Sequence, residues 1–98
     1  MTSDATWARP RQLESPGDLS QLIAEIAEAV RKGELVQLFP SGAPFATTKD
    51  IRDIAPEGPW PDYLELHFED VRDSKRYRLT AESYHGRGGT WGELPTEG

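Results

Sequence analysis

Residues 63–82 read YLELHFEDVRDSKRYRLTAE, and apolar and polar side chains alternate in this stretch on both sides of a short polar segment. Successive side chains of a strand point to opposite faces of its sheet, so such alternation is typical of a strand with one buried face. The polar segment Arg72 to Lys75 is typical of a turn. The sequence therefore predicts an antiparallel hairpin of residues 62–70 with residues 76–84.

The register of this hairpin has two alternatives. A tight turn places Glu65 opposite Glu82, and two carboxylates in that position repel unless a cation or a shared proton lies between them. A register that is shorter by one pair places Glu65 opposite Thr80 and His67 opposite Arg78. The sequence does not decide between the two.

A helix is predicted upstream of the hairpin, over about residues 16–32. Residues 15–18, Ser-Pro-Gly-Asp, have the form of a capping box. The apolar residues that follow at helical spacing are Leu19, Leu22, Ile23, Ile26 and Val30. Gly33 supplies a left-handed stop. Glu25 and Glu28 lie away from the apolar stripe, so we expect both on the solvated side.

Two more strands are expected, at residues 34–39 and around residues 90–94. Residues 50–54 favour a short helical turn with Thr48 as its cap, and the proline-rich residues 56–61 predict a stiff loop. The predicted fold class is therefore α+β, with one long N-terminal helix packed on an antiparallel sheet of about four strands.

The domain boundaries follow from the same patterns. Ninety-eight residues is the length of one domain. We expect residues 1–14 to form an N-terminal arm, residues 15–94 a single α+β domain, and residues 95–98 a frayed tail. An isolated tryptophan in a polar arm usually anchors that arm to its own domain, and we expect this of Trp7.

The composition constrains the cellular compartment and the cofactors. The chain has no cysteine, which excludes disulfides and thiolate metal sites and favours a reducing, cytoplasmic location. We find neither a signal-peptide pattern nor an apolar run of membrane-spanning length, so no membrane partner is expected. The glycine-rich residues 86–89 lack the lysine and Ser/Thr of a P-loop. We therefore expect no cofactor and no metal.

The charge balance indicates the class of partner. Asp and Glu outnumber Lys and Arg by 17 to 11, for a net charge of −6. Such a surface repels phosphate backbones, which disfavours nucleic acid, and it attracts a basic protein. The alternative is that the charge only keeps the protein soluble. The sequence leaves a homo-oligomer open.

The candidate site is the sheet face that the helix does not cover, which we call the open face. Alternation places on it Tyr63, Glu65, His67, Glu69, Arg76, Arg78, Thr80, Glu82 and Tyr84. The predicted binding residues are Trp60, Tyr63, Glu65, His67, Glu69, Arg78, Glu82 and Tyr84. Exposed aromatics are typical interface anchors. The alternatives are an ordinary solvated face with weak charge pairs, and a Trp60 that plugs the end of the core.

These features favour a small non-enzymatic interaction domain that masks a basic partner, as nuclease inhibitors and immunity proteins do. A helix on an antiparallel sheet that bears Glu, Arg and His also resembles the small microbial ribonucleases, in architecture and residue inventory alone. That resemblance implies a hydrolase in which Glu65 or Glu82 acts with Arg78 and His85. A domain whose activity the sequence does not reveal fits equally well.

Overall fold

The computed structural model describes residues 6–39, 47, 49–60, 62–82 and 88–94. The elements are a 3-10 turn at Thr6–Ala8, β1 at Arg11–Leu13, α1 at Pro16–Arg31, β2 at Leu35–Leu38, a 3-10 turn at Ile51–Asp53, β3 at Tyr63–Asp70, β4 at Arg76–Glu82 and β5 at Gly88–Glu93. The strands form one antiparallel sheet in the order β1-β5-β4-β3-β2. The predicted α+β class, with a helix on an antiparallel sheet, is confirmed.

The expected number of about four strands is corrected to five, because β1 pairs with β5 along the edge of the sheet. This strand lies within residues 1–14, which we expected to form an arm. It has three residues and buries only Leu13, so it is too short to show an alternation in the sequence. The expected tail, residues 95–98, lies outside the described residues.

The helix begins and ends close to the predicted residues. The Ser15 hydroxyl accepts a hydrogen bond from the Asp18 backbone at 3.2 Å, and the Asp18 carboxylate accepts one from the Glu14 backbone at 3.0 Å. Gly33, with a φ of 80°, follows the helix. In that left-handed conformation its N–H and that of Glu34 reach back to carbonyls of the last turn, which ends the helix.

Glu25 does not lie on the solvated side, contrary to expectation. Its carboxylate is half-buried and accepts two hydrogen bonds from the Arg11 guanidinium, at 3.0 and 2.8 Å. The arginine reaches the helix because β1 brings it beneath α1, a contact that helical periodicity does not predict. Glu28 is exposed, as expected.

The helix connects β1 and β2, which lie at opposite edges of the sheet, and packs on one sheet face. We call the sheet face beneath it the covered face. The fully buried residues that meet there include Leu22, Ile23 and Ile26 of the helix and Leu64, Leu66, Phe68, Leu79 and Trp91 of the strands. Burial of each such side chain stabilises the fold by roughly 1.5–3 kcal/mol.

The turn at Ile51–Asp53 closes one end of the core. Its cap is Asp50, which accepts a hydrogen bond from the Arg52 backbone at 2.8 Å. Thr48, the expected cap, lies outside the described residues. The Gln37 side chain fastens the turn to β2, because it accepts a hydrogen bond from the Ile51 backbone at 2.7 Å and donates one to the Lys49 carbonyl at 2.9 Å.

Trp7 anchors the N-terminal segment to its own domain, as expected. Its ring is buried and meets Tyr77 edge-on, with ring centroids 5.5 Å apart. The Trp91 indole donates to the Trp7 carbonyl, and the Trp7 indole donates to Glu34 at 2.9 Å. Trp7 therefore lies with the core aromatics and does not cover the open face.

The β3–β4 hairpin adopts the shorter of the two registers, with Glu65 opposite Thr80 and His67 opposite Arg78. The reason is a four-residue turn in which Ser74 has a φ of 65° and its N–H donates to the Asp70 carbonyl at 2.9 Å. The buried Asp70 carboxylate accepts hydrogen bonds from the Arg72 backbone and guanidinium, at 2.9 and 3.1 Å. These contacts shape the turn that selects the register.

Candidate functional site

The open face carries the polar half of the hairpin. Burial alternates strictly along β3 and β4, and the less buried positions are Tyr63, Glu65, His67 and Glu69 on one strand and Arg76, Arg78, Thr80 and Glu82 on the other. The structure therefore brings six of the predicted binding residues onto one face. Tyr84 lies outside the described residues.

Glu65 organises the centre of this face. One carboxylate oxygen accepts a hydrogen bond from the Tyr63 hydroxyl at 3.0 Å, and the other lies 2.8 Å from Nε2 of His67. We call these three residues and the neighbouring Arg78 the Glu65 cluster. The side chains of Glu65 and His67 are only 16% and 15% exposed, so the pair is shielded from bulk water although it lies on the face that the helix does not cover.

The contacts of the cluster favour the ionised form of Glu65 and the neutral form of Tyr63. The hydrogen bond with His67 lowers the pKa of Glu65 against the effect of partial burial, and Tyr63 and Arg78 act in the same direction as His67. Burial and the neighbouring carboxylate raise the pKa of Tyr63. At neutral pH the cluster thus presents a carboxylate, a phenol that donates to it and a guanidinium beside them.

Thr47 supports the cluster from the neighbouring loop. Its hydroxyl accepts a hydrogen bond from the Glu65 N–H at 3.0 Å, and its own N–H donates to the Glu65 carbonyl at 2.7 Å. Thr47 continues the pairing of β3 beyond the end of β2 at Leu38. Sequence reasoning missed this contact, since no periodicity marks a single residue that joins a sheet.

The open face extends further than the hairpin. Thr90 of β5 lies opposite Thr80, with their hydroxyls 3.1 Å apart, and Gln12 of β1 lies on the other side of Thr90. A shallow depression of about 360 Å³ lies here, lined by Pro10, Arg11, Gln12, Thr90 and Trp91. The signal for Thr90 was present in the sequence, because it alternates with the buried Trp91.

Trp60 packs against the core. Its ring is half-buried, and its indole N–H donates to the Ala55 carbonyl at 3.1 Å. Gly58, which has a φ of 80°, lies against the ring. Of the two interpretations of Trp60, a plug at the end of the core fits these contacts better than a free interface anchor.

The residues named for a hydrolase share part of this face. Arg78 lies opposite His67 and Glu82 lies opposite Tyr63, so both flank Glu65. His85 lies outside the described residues. The histidine that contacts Glu65 is His67, one of the predicted binding residues. In the described part of the chain, no three His, Asp or Glu side chains are arranged to hold a metal ion.

The fold and the site define a small acidic α+β domain with a polar sheet face that the helix does not cover. Comparisons of the chain with models of known protein families, with curated proteins and with solved structures find no match. None of the helices within the described ranges is long and apolar enough to cross a membrane. The function is therefore inferred from the chemistry of the open face.

Proposed function

We propose that this protein is a small non-enzymatic interaction domain, of the inhibitor or immunity type, that docks and masks a basic partner protein in the cytoplasm. The observation that supports it most strongly is that Tyr63 is exposed and also held in place by a hydrogen bond. Its side chain is 42% exposed on the open face, and its hydroxyl is held by Glu65 at 3.0 Å. The chain's own tryptophan Trp7 is buried among the core aromatics and leaves this ring uncovered.

Such a tyrosine has the properties of an interface anchor. A tyrosine offers a large contact area at a low cost in conformational entropy, and a hydrogen bond that already orders its ring reduces the cost further. Residues that act as anchors lie near the centre of an interface and are surrounded by contacts that exclude water. The half-buried Glu65 and His67 and the exposed Arg78 supply polar partners around it.

Charge contributes to this proposal mainly at long range. Both oxygens of Glu65 already have partners, and Glu69 pairs with Arg76 at 3.3 Å. Both carboxylates thus already interact with neighbouring residues of the open face. The net charge of −6 attracts a basic partner during encounter, while the aromatic anchor and the polar contacts set the lifetime of the complex.

The test is to isolate the partner with tagged protein from its native host and to measure the affinity of the purified pair. We expect Tyr63→Ala to weaken binding by well over about tenfold, since truncation of an anchor costs about 2 kcal/mol or more. Tyr63→Phe keeps the ring and should lose less. Gln21→Ala, on the exposed side of the helix, is the control and should change the affinity little.

The salt dependence of the same complex tests the charge argument. We expect the association rate to fall as ionic strength rises, because screening shortens the range of the attraction. A partner that is not basic, or an affinity that Tyr63→Ala leaves unchanged, would refute the proposed docking.

A ribonuclease-like hydrolase is the second candidate, and the Glu65 cluster is the observation that favours it. In this cluster Glu65 lies 2.8 Å from His67, the spacing of an acid–base pair, and Arg78 lies beside them for a phosphate. The test is RNA cleavage by purified protein, which Glu65→Gln and His85→Ala should each abolish with the fold intact. If the wild-type protein does not cleave RNA, this candidate is rejected and the interaction domain is unaffected.

A further inference from the structure

The two edges of the sheet differ in how well they are protected. β1 has three residues, follows Pro10, which has no N–H, and carries Arg11 in an ion pair with Glu25. β2, at the other edge, consists of Leu35–Leu38 and has neither charge nor proline. Prolines, charges and short length are the usual means by which proteins prevent an edge strand from pairing with another chain. The four residues of β2 themselves include neither, although Glu34 precedes the strand and Pro40 follows Phe39.

Exposed apolar side chains concentrate at the β2 edge. Among the described residues, four large hydrophobic side chains are exposed, and three of them are at this edge: Val36 at 51%, Phe39 at 53% and Val71 at 55%. Val71 belongs to this group because its N–H donates to the carbonyl of Glu34, directly before β2. The fourth, Tyr63, lies at the far end of β3.

The backbone of β2 directs unused hydrogen-bonding groups outward. The bond from Val71 to Glu34 marks residues 34 and 71 as a hydrogen-bonded pair, and such pairs alternate along an antiparallel ladder. Val36 is therefore bonded to Glu69, while the N–H and C=O groups of Leu35 and Gln37 point away from β3. Within the described ranges, no backbone hydrogen bond outside the ladder takes up these four groups.

We propose that β2 pairs with β2 of a second copy of this chain, antiparallel and about a two-fold axis at Val36. In this arrangement the Leu35 backbone of each copy exchanges two hydrogen bonds with the Gln37 backbone of the other. The two Val36 side chains then face each other across the axis, on the open face. The two sheets become one continuous sheet of ten strands.

A second copy fits this edge for two reasons. Two antiparallel copies of β2 about a two-fold axis use the same surface of each chain, so the pairing is complete after two subunits. It also joins two acidic chains at a strand that carries no charge, so no like-charged side chains of the two strands lie directly opposite each other. If β1 of one copy paired with β2 of another, each pair would keep a free edge at both ends, and association would not stop at two subunits. The protected β1 edge also opposes this pairing.

This dimer would be weak, because the paired strands are short and the buried area is small. We expect sedimentation velocity to show monomer and dimer exchanging over about 10 µM to about 1 mM protein, the range of weak complexes. Val36→Lys should weaken association by at least about tenfold, because like charges directly opposite each other repel and an edge lysine blocks strand pairing.

Val71→Lys is the matched control. It places the same charge on an equally exposed valine, one strand away from the axis, and should leave association unchanged. Circular dichroism should show both variants folded, since both side chains are more than half exposed. A wild-type protein that stays monomeric up to about 1 mM, or a dimer that Val36→Lys leaves intact, would overturn the proposal.

Single cysteines test the register directly, because the chain has none of its own. Opposed residues of a non-hydrogen-bonded antiparallel pair have Cα atoms about 4.5 Å apart, within the range that a disulfide spans. Val36→Cys should therefore form a disulfide-linked dimer at least about tenfold faster than Val71→Cys under the same mild oxidation. Equal rates for the two variants would show that the axis does not lie at Val36. Neither test involves Tyr63, so the result is independent of the proposed docking function.

Discussion

The two faces of the sheet are built from the same strands but meet different surroundings. On the covered face, Leu66 lies opposite Leu79, and both are fully buried beneath the helix. One residue further along, His67 lies opposite Arg78 on the open face, where nothing in the described parts of the chain covers Arg78. The difference indicates that the buried side chains of the covered face supply most of the stability, whereas the more exposed side chains of the open face supply less. Substitutions on the covered face should therefore lower the free energy of unfolding more than substitutions on the open face.

The largest effect is expected for Trp91→Ala. Trp91 is 1% exposed, stacks on Tyr77 at 5.4 Å and meets Phe68 at 5.8 Å, so truncation leaves a cavity and removes these contacts. We expect the free energy of unfolding in urea to fall by about 3–5 kcal/mol. The adjacent Thr90→Ala, on the open face, should cost less than about 1 kcal/mol. Equal costs for the two would contradict the division by face.

The two glycines of β5 provide a sharper comparison. A methyl group at Gly89 would lie 1.8 Å from the Thr80 carbonyl oxygen, so the backbone of one strand would have to shift. At Gly92 a methyl group would meet only Pro10, at an ordinary 3.8 Å. We expect Gly89→Ala to lower the free energy of unfolding by about 1–3 kcal/mol or more, and Gly92→Ala to change it little. Thermal unfolding of both variants measures the difference, and a tolerated Gly89→Ala would show that β5 can move away from β4.

The stability provided by the Glu65 cluster should depend on pH. A carboxylate whose pKa is lower in the folded state stabilises the fold above its unfolded pKa of about 4.3, and this contribution is lost as the pH falls through the folded pKa. Glu65→Gln should therefore reduce stability by about 1 kcal/mol at pH 7 and by less at pH 3. Urea unfolding at the two pH values measures the difference. A cost that is the same at both would show that the ionised carboxylate contributes nothing.

The smallest effect on stability is expected for Tyr63→Ala. Its ring is partly exposed and makes one hydrogen bond from its hydroxyl, so we expect a loss of no more than about 0.5–1 kcal/mol in urea unfolding. The same substitution should have a large effect on partner binding if the proposed function is correct. A loss of several kcal/mol would assign Tyr63 to the core and remove the contrast between the faces.

Local patterns predicted much of the fold and part of the site. The helix follows from its capping box and apolar stripe, and the hairpin follows from its alternation, because both signals repeat every few residues. The same alternation placed Glu65, His67 and Arg78 on one face. It did not reveal that His67 and Tyr63 share the carboxylate of Glu65, since rotamers and distances depend on packing.

The pairings that the sequence left open depend on residues far apart in the chain. β1 is too short to have a period and becomes a strand only because β5 lies beside it. The hairpin register depends on the left-handed Ser74 and on the buried Asp70, neither of which alternation distinguishes from an ordinary turn residue. The Arg11–Glu25 ion pair likewise requires β1 to pass beneath the helix.

The sequence by itself determined the α+β class, the position of the helix, the central hairpin and the open-face positions within residues 63–82. The tertiary structure alone decided the register, the fifth strand, the place of Trp7 in the core and the contacts around Glu65. The physical reason is the range of the forces involved. Periodic burial and capping act within a few residues of the chain, whereas strand pairing and side-chain contacts form only after distant segments have packed together.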